Sequence, residues 1–376
     1  MRDVVEIGLG KTAQCGYHLA DVAIVPSRRT RDVDDVSTGW QLDAYPFQIP
    51  GAAHPSDATM SPATAVAFGR LGGLGVLNVE GLWTRYEDPS KVLAELAELD
   101  EDAPAIRRLQ EAYAEPIKPD LIGERVAELR AGGVTVAVRV SPQHTLRLAP
   151  VVLDAGVDIL VIQGTIVSAE HVSTTDEPLN LKEFIADLDL PVLVGGCTNY
   201  QTALHLMRTG AAGVIVGIGA DDWATTDAVL GIRVPMATAI AEAAAARRDY
   251  LDETGGRYVH LVADGDVRTS GDIARALGCG ADAVMLGEPL SLAAQAPGGG
   301  AWWHSAASHP KLPRGAFGAA QAPLGTLEEI LYGPSDQPDG TLNLFGGLRR
   351  AMAKCGYRDL KEFQKVGLLL DGPRRD

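Results

Sequence analysis

Residues 153–164 read LDAGVDILVIQG. This stretch begins as the end of a helix would, continues through a glycine into an apolar run, and ends at a second glycine. The same order recurs in MRTGAAGVIVG at 207–217 and in LGCGADAVMLG at 277–287. The internal glycine suits the position just after a helix, which favours a left-handed backbone. The apolar run lacks the alternation of a half-exposed strand and is typical of a parallel strand buried on both faces. The repeats therefore predict three helix-to-strand units of one parallel sheet.

Further apolar runs have the same buried character and lie at Phe47–Pro50, Gly75–Asn78, Val134–Val140, Leu190–Gly195 and Tyr258–Ala263. Helix-like stretches alternate with the runs, at Pro62–Arg70, Pro89–Leu99, Leu121–Ala131, Leu181–Ala186, Tyr200–Thr209, Met236–Tyr250 and Ser270–Leu277. Eight such units in roughly 250 residues favour a closed (β/α)8 barrel over an open sheet. A doubly wound sheet would carry a G-x-G-x-x-G turn after its first strand, and Gly8-Leu9-Gly10 follows no strand.

We therefore predict an α/β protein with a (β/α)8 TIM barrel as its single domain, spanning residues 1–376. Residues 1–45 are expected to form an N-terminal extension. Residues 289–376 are expected to form flap-like loops and a C-terminal segment, because the glycine run at 298–300 interrupts the alternating pattern.

The composition excludes several classes of partner. The chain has 376 residues with 33 Lys+Arg and 49 Asp+Glu, a formal net charge of −16. Nucleic acids and anionic membrane surfaces require clustered basic residues, so neither is expected as a partner. No run reaches the roughly 18 apolar residues of a membrane helix, and the first residues lack the apolar core of a signal peptide. With four scattered cysteines, these features predict a cytoplasmic protein.

Polar side chains follow the predicted strands and should meet at the barrel mouth, where such barrels carry their active sites. Seven are carboxylates and one is an arginine, so the mouth is expected to favour a cationic or neutral polar small molecule and to repel phosphate. The loop acids could alternatively bind a divalent cation, although their spacing matches no metal motif. The mouth residues are His54, Ser56, Asp57, Asn78, Glu80, Ser141, Gln143, His144, Gln163, Thr165, Cys197, Asn199, Asp221, Asp222, Trp223, Thr225, Asp264, Asp266, Arg268 and Glu288.

Several motifs in this order resemble the IMP dehydrogenase/GMP reductase superfamily, and specifically its actinobacterial IMP dehydrogenase-related branch. They include DVAIVP at 21–26, LGGLG at 71–75, VPMATA at 234–239, SGDI at 270–273 and GGLRR at 346–350. The resemblance implies a (β/α)8 barrel that assembles as a homo-tetramer or higher oligomer. Many members insert a pair of CBS domains between strands two and three. Only residues 79–133 separate those strands here, so no CBS-domain insert is expected.

The family's chemistry uses a thiolate that attacks the purine while hydride passes to or from a nicotinamide cofactor. Its cysteine lies in the loop after strand six, in a pattern similar to G-x-G-x-G-S-x-C-x-T. Residues 217–226 read GIGADDWATT, so Ala224 stands in the place of the cysteine. A methyl group cannot form the covalent adduct. Cys197 is either a substitute nucleophile or a small buried residue at the end of strand five.

The family's phosphate site is also altered. Asp222, Asp266 and Glu288 stand where the resemblance implies small residues that cradle a 5′-phosphate. One carboxylate about 5 Å from a phosphate charge costs roughly 3 kcal/mol at an effective dielectric near 20. Asp264 and Gly265 resemble the family's ribose-binding pair. The remaining residues expected at the ligand are Gly287, Trp223, Thr225, His54 and Asp57.

The cofactor side departs from the family as well. The resemblance implies NAD or NADP, held by an Asp-Ser/Thr pair after strand four and an asparagine after strand five. This chain has Gln163, Thr165 and Cys197 at those places, so these residues are expected to border any cofactor. In the family, carbonyl groups of the loop after strand six bind a monovalent cation. Asp221 and Ala224 alter this loop here, so a bound monovalent cation is not expected in this chain.

Three functional hypotheses follow. The first is a divergent member that has lost its nucleophile and phosphate cradle and now serves an unphosphorylated or cationic nucleoside-like ligand. The second is a working NAD(P)-dependent oxidoreductase of the IMP dehydrogenase/GMP reductase type with another nucleophile. The third is a non-catalytic regulatory partner of a true IMP dehydrogenase.

Overall fold

The computed structural model describes residues 4–172, 178–220 and 222–370. Eight parallel strands form its central sheet, and from the second to the eighth each strand is hydrogen-bonded to the next along the chain. They are β1 (Gly51–Ala53), β2 (Val76–Asn78), β3 (Ala137–Val140), β4 (Ile159–Gln163), β5 (Val192–Cys197), β6 (Gly213–Val216), β7 (His260–Ala263) and β8 (Ala283–Leu286). β8 pairs with β1, and Leu74, just before β2, exchanges backbone hydrogen bonds with Gly51 and Ala53. The predicted barrel is confirmed.

The glycine pattern predicted the helix ends correctly. Gly156, Gly210 and Gly280 have φ values of 83°, 98° and 119°, in the left-handed region that the sequence repeats require. The strands that follow them are fully buried. Each glycine thus ends a helix and turns the chain back into the barrel wall.

The predicted position of the first strand is wrong. The sequence places it at Phe47–Pro50, whereas β1 occupies Gly51–Ala53 and Tyr45–Phe47 pairs antiparallel with Trp40–Leu42. Small residues are required in β1, because a Cβ on Gly51 would lie 2.7 Å from the Phe345 ring. Gly and Ala are depleted in strands, so the apolar pattern marks the wrong segment.

Helices surround the sheet and also cover parts of its ends. They lie at Pro62–Arg70, Ser90–Ala97, Asp102–Ala114, Pro119–Ala131, Thr145–Asp154, Leu181–Ala186, Tyr200–Arg208, Thr226–Leu230, Met236–Glu253, Ser270–Cys279, Glu288–Ser291, Leu327–Tyr332, Leu344–Lys354 and Leu360–Phe363. Three of these helices occupy the interval between β2 and β3, which confirms that no CBS-domain insert is present. Among the described residues, none of the helices has the length and apolar character needed to span a bilayer.

The mouth of the barrel is covered by a second, smaller hydrophobic core. The helices Ser90–Ala97 and Asp102–Ala114 pack there against a short antiparallel pair, Trp302–Trp303 with Phe317–Gly318. The Trp303 and Phe317 rings stack with centroids 6.0 Å apart. The segment predicted as flap-like loops therefore packs over the strand ends.

The termini form small antiparallel pairs of their own. Val4–Gly8 pairs with Lys11–Gln14, and Gly367–Leu370 pairs with Val22–Val25. The second pair ties the C-terminal segment to the N-terminal extension, and the helix Ser270–Cys279 packs against it.

Candidate functional site

Two adjoining regions occupy the barrel mouth. We call the region at the ends of β6, β7 and β8 the socket; it is bordered by Gly219, Trp223, Gly265, Asp266, Arg268, Gly287, Glu288 and Trp302. We call the region at the ends of β2, β3 and β4 the cavity; it includes Asn78, Glu80, Arg85, Tyr113, Arg139, His144, Gln163, Thr165 and Arg314. Asp264 and His304 border both regions. The cavity has a volume of about 680 Å³, whereas the socket has about 30 Å³.

Two tryptophans fill the socket. A Cβ added to Gly287 would lie 2.6 Å from Cη2 of Trp302, and one added to Gly318 would lie 2.6 Å from Cη2 of Trp223. Ordinary carbon contacts are about 3.5–4.0 Å, so both indole rings pack directly on backbone. A phosphate group has no room beside Gly287 in this arrangement.

The socket acids are paired within the protein. Arg268 donates from Nε to Glu288 Oε2 and from Nη2 to Asp222 Oδ2, each at 2.6 Å. Trp223 Nε1 donates to the same Glu288 oxygen at 2.7 Å. The sequence places Asp222, Asp266 and Glu288 where the resemblance implies a phosphate cradle, and in the fold Asp222 and Glu288 form ion pairs with Arg268. Asp266 has a left-handed φ of 53°.

Asp264 lies at the end of β7, between the socket and the cavity. Its Oδ2 accepts a hydrogen bond from Gln163 Nε2 at 2.7 Å and lies 3.9 Å from His54 Nε2. Burial raises the pKa of Asp264 to about 7, and burial also holds the pKa of His54 well below 6.5. Near neutral pH, Asp264 can therefore either donate or accept a proton beside an uncharged imidazole.

Arginines dominate the charge of the cavity. Arg85, Arg139 and Arg314 all border it, with Glu80 and Asp264 as the described carboxylates of its wall. Arg139 belongs to β3 itself rather than to the loop after it, while Arg85 and Arg314 come from covering segments. The prediction of an acid-rich mouth with one arginine is therefore wrong for this region.

Glu80 and His144 form a hydrogen-bonded pair on one wall of the cavity. His144 Nδ1 lies 2.7 Å from Glu80 Oε2, and the backbone N–H of Ser141 also donates to Glu80. Burial opposes ionisation, but the hydrogen bond from His144 and the charge of Arg139 lower the pKa of Glu80 to about 2. Glu80 is thus ionised and orients a half-exposed imidazole, the arrangement expected of a proton-transfer pair.

The predicted cofactor residues divide into two groups. Gln163 and Thr165 border the cavity, and Thr165 Oγ1 lies 3.4 Å from Arg314 Nη2. Cys197 is 2 % exposed, and burial raises its pKa to about 12. A thiol in that state is a poor nucleophile, so the structure favours the small buried residue over the substitute nucleophile.

Two other predicted ligand residues, Asp57 and Thr225, and Ala224 at the place of the family's cysteine lie outside the two regions of the mouth. Asp57 is buried and accepts hydrogen bonds from the Tyr113 hydroxyl and the Leu82 backbone; burial raises its pKa to about 6. Thr225 precedes the short helix Thr226–Leu230, and Ala224 is a buried residue of the loop after β6. Within the described ranges no group of His, Cys, Asp or Glu could hold a metal ion, and Asp221 lies outside those ranges.

Comparisons with known proteins identify the family. The family model for the IMP dehydrogenase / GMP reductase domain matches residues 16–323. The chain belongs to the IMP dehydrogenase/GMP reductase family. This agrees with the resemblance in the sequence motifs and with the barrel.

Relatives of this family member fall into near and distant groups. Uncharacterized oxidoreductases of Mycolicibacterium smegmatis and Mycobacterium leprae are each 61% identical, over 97% and 98% of this chain and 99% and 100% of theirs. The inosine-5′-monophosphate dehydrogenase of Methanocaldococcus jannaschii is 30% identical over 64% of this chain and 51% of its own length. A crystal structure of an IMP dehydrogenase/GMP reductase-like protein from Corynebacterium glutamicum matches with a TM-score of 0.93 and 53% identity, over 98% of each chain.

Sequence reasoning missed several cavity residues of this family member. Arg139 alternates with buried residues inside a strand, and a charge within an otherwise apolar strand was the available signal. Arg85, Tyr113 and His304 reach the mouth from segments whose packing no local pattern reveals.

Proposed function

We propose that this IMP dehydrogenase/GMP reductase family member binds an unphosphorylated, nucleoside-like small molecule in the cavity rather than a nucleotide whose phosphate occupies the socket. The observation that carries this proposal is the Trp302 ring packed on Gly287. The Arg268 ion pairs with Asp222 and Glu288 support it, because the acids that could repel a phosphate are already used to hold the socket closed. The arginines of the cavity favour a neutral or anionic ligand over the cationic one that the sequence suggests.

One buried polar atom beside Asp264 supports a ligand at this point. Gln163 Oε1 has no hydrogen-bond partner among the described residues. A buried polar atom without a partner costs about 1–3 kcal/mol. A ligand hydroxyl or ring N–H in the cavity would satisfy Gln163, while Asp264 would bind a neighbouring hydroxyl.

A nicotinamide cofactor would fit the same wall. Gln163 would accept from its carboxamide N–H and Thr165 would lie beside it, whereas Cys197 is too deeply buried to take part. When bound, NAD or NADP would supply hydride transfer. His144, oriented by Glu80, is the cavity residue best placed to take or give a proton. With Ala224 in the loop after β6, any such reaction proceeds without a covalent purine adduct.

The test compares nucleosides with nucleotides by isothermal titration calorimetry, using inosine, guanosine, IMP and GMP with and without NAD(P). The protein is expected to bind a nucleoside at least tenfold more tightly than its monophosphate. The double variant Trp302→Ala/Glu288→Ser should reverse this preference by reopening the socket. Glu253→Ser, which removes a surface acid paired with Arg208, is the matched control. Micromolar binding of IMP by the unmodified chain, with its phosphate in the socket, would overturn the proposal.

Assembly is a further part of the proposal. We propose a homo-oligomer, as the family resemblance implies. Exposed apolar side chains on the terminal strand pairs, Ile7 and Leu369 among them, are surfaces that such contacts would bury.

A further inference from the structure

We propose that Arg139 and Arg314, with Arg85 bordering the same cavity, form a binding subsite for an oxyanion, either a carboxylate of the ligand or a phosphate of its cofactor. We call these three residues the arginine subsite. The inference rests on the proposed function, since it takes the cavity as the binding site. It places the anionic group on the β2–β4 side of the mouth, across the barrel from the closed socket.

Arg139 is fixed at the base of the cavity. Its Nε and Nη2 donate to the backbone oxygen of Gln163 at 3.1 and 2.7 Å, and its Nη1 lies 3.3 Å from Asn78 Oδ1. Glu80 lies 3.8 Å away. The guanidinium is thus held by two neutral oxygens and by an ion pair with Glu80, so little rotamer entropy is left to lose on binding.

Arg314 supplies the observation that points directly to a ligand. It lies in the segment that crosses the mouth, where Nη1 donates to the Leu312 backbone and Nη2 lies near Thr165. Its Nε is buried and has no hydrogen-bond partner among the described residues. Buried guanidinium N–H groups are rarely left unpaired. An oxygen bound between Arg314 and Arg139 would satisfy this donor.

The surrounding charges also favour an anion. The cavity is bordered by three arginines and by two acids, Glu80 and Asp264. Glu80 is ionised, whereas the pKa of about 7 leaves the buried Asp264 only partly charged near neutral pH. The helix Thr145–Asp154 begins at the same wall, so its positive dipole end adds to the attraction. A positive cavity in a chain of net charge −16 would guide an anion to this point.

The chemistry of the subsite is that of planar oxyanion recognition. Guanidinium groups bind carboxylates and phosphates through paired N–H donors. Among the described residues that border the cavity there is no lysine, so geometry as well as charge selects the ligand. A carboxylate on the small molecule and a phosphate of a dinucleotide cofactor present the same two oxygens.

The experiment measures binding of two probes, succinate and inorganic pyrophosphate, by calorimetry at low salt. Both are compared on the unmodified chain and on Arg139→Gln, Arg314→Gln and Glu80→Gln. Either arginine variant should weaken the better probe at least tenfold, and Glu80→Gln should strengthen it. Arg208→Gln, which removes a surface arginine paired with Glu253, should leave the affinity unchanged. Stronger binding of succinate assigns the subsite to a carboxylate ligand, and stronger binding of pyrophosphate assigns it to a phosphate-bearing cofactor.

Absence of binding by both probes would overturn the inference, as would an Arg314→Gln variant that binds them like the unmodified chain. Arg314→Gln keeps the test valid if Arg139→Gln fails to fold, because Arg314 lies in a covering segment. The two proposals can fail separately. If IMP binds in the socket, its affinity should respond to Glu288→Ser and not to Arg314→Gln, whereas failure of the subsite leaves the nucleoside preference intact.

Discussion

Replacing Gly287 by alanine tests whether the socket is closed by direct packing. The added methyl would lie 2.6 Å from Cη2 and 2.9 Å from Cζ2 of Trp302, about 1 Å inside an ordinary carbon contact. The backbone φ of −109° is outside the left-handed region, so steric overlap is the main expected cost. Overpacking of this kind destabilises proteins by about 1–3 kcal/mol, which is the loss expected for Gly287→Ala.

Shortening the tryptophan should remove that cost. Trp302→Phe deletes three ring atoms, worth about 2 kcal/mol at about 0.8 kcal/mol per buried carbon. Because Trp302 Nε1 is buried without a partner among the described residues, losing this N–H breaks no hydrogen bond there. In the Trp302→Phe background, Gly287→Ala should therefore cost close to nothing. The double-mutant cycle should give a coupling of at least about 1 kcal/mol, above the roughly 0.5 kcal/mol scatter of independent sites.

Urea denaturation of the four proteins measures these free energies, provided that the slope with denaturant stays constant. Gly123→Ala is the matched control, because a Cβ on Gly123 meets nothing within 4 Å and its helical position should gain about 0.5–1 kcal/mol. Equal costs of Gly287→Ala with and without Trp302 would refute the packing argument and reopen the socket to a phosphate.

Two further predictions concern titration and reactivity. Because the folded-state pKa of Asp264 is about 7, above the ordinary 3.8, its contribution to stability is complete below about pH 4 and is lost as the pH rises through 7. This loss amounts to up to about 4 kcal/mol. Between pH 5 and 8, the urea midpoint of Asp264→Asn should therefore fall less than that of the unmodified chain. If the two midpoints change in parallel with pH, the raised pKa of Asp264 is contradicted. Iodoacetamide should modify the exposed Cys15 in the native protein and leave Cys197 unmodified, because burial raises the pKa of the Cys197 thiol to about 12. Peptide mass spectrometry measures the labelling of each cysteine, and equal labelling of the two would contradict this prediction.

The barrel could be predicted from sequence because its signals are local. A glycine after each helix and a fully apolar run after the glycine are properties of about ten neighbouring residues, and Gly156, Gly210 and Gly280 all adopt the predicted backbone. The exception is informative. β1 consists of Gly51, Ala52 and Ala53, and the absence of a side chain at Gly51 is required by Phe345, on a helix almost 300 residues later. No local pattern carries that requirement.

The site was less predictable because its charges are paired at long range. Arg268 meets an acid from the loop after β6 and another from the end of β8, and these pairings depend on the barrel being closed. Counting acids at strand ends assigns the full negative charge to residues whose charge Arg268 partly compensates in the fold. Arg85 and Arg314 reach the cavity from covering segments, so the same count omits the positive groups.

The socket acids are therefore better explained as a consequence of closure than as its cause. With Trp302 on Gly287, a phosphate is excluded by volume alone, and no repulsion is needed to keep it out. Glu288 then accepts hydrogen bonds from the Trp223 indole N–H and from Arg268. This cluster holds the covering segment, residues 302–318, over β8. The same segment brings Arg314 to the opposite side of the mouth. In the functions proposed here, the closed socket and the arginine subsite are thus linked through residues 302–318, a single stretch of chain that crosses the barrel mouth.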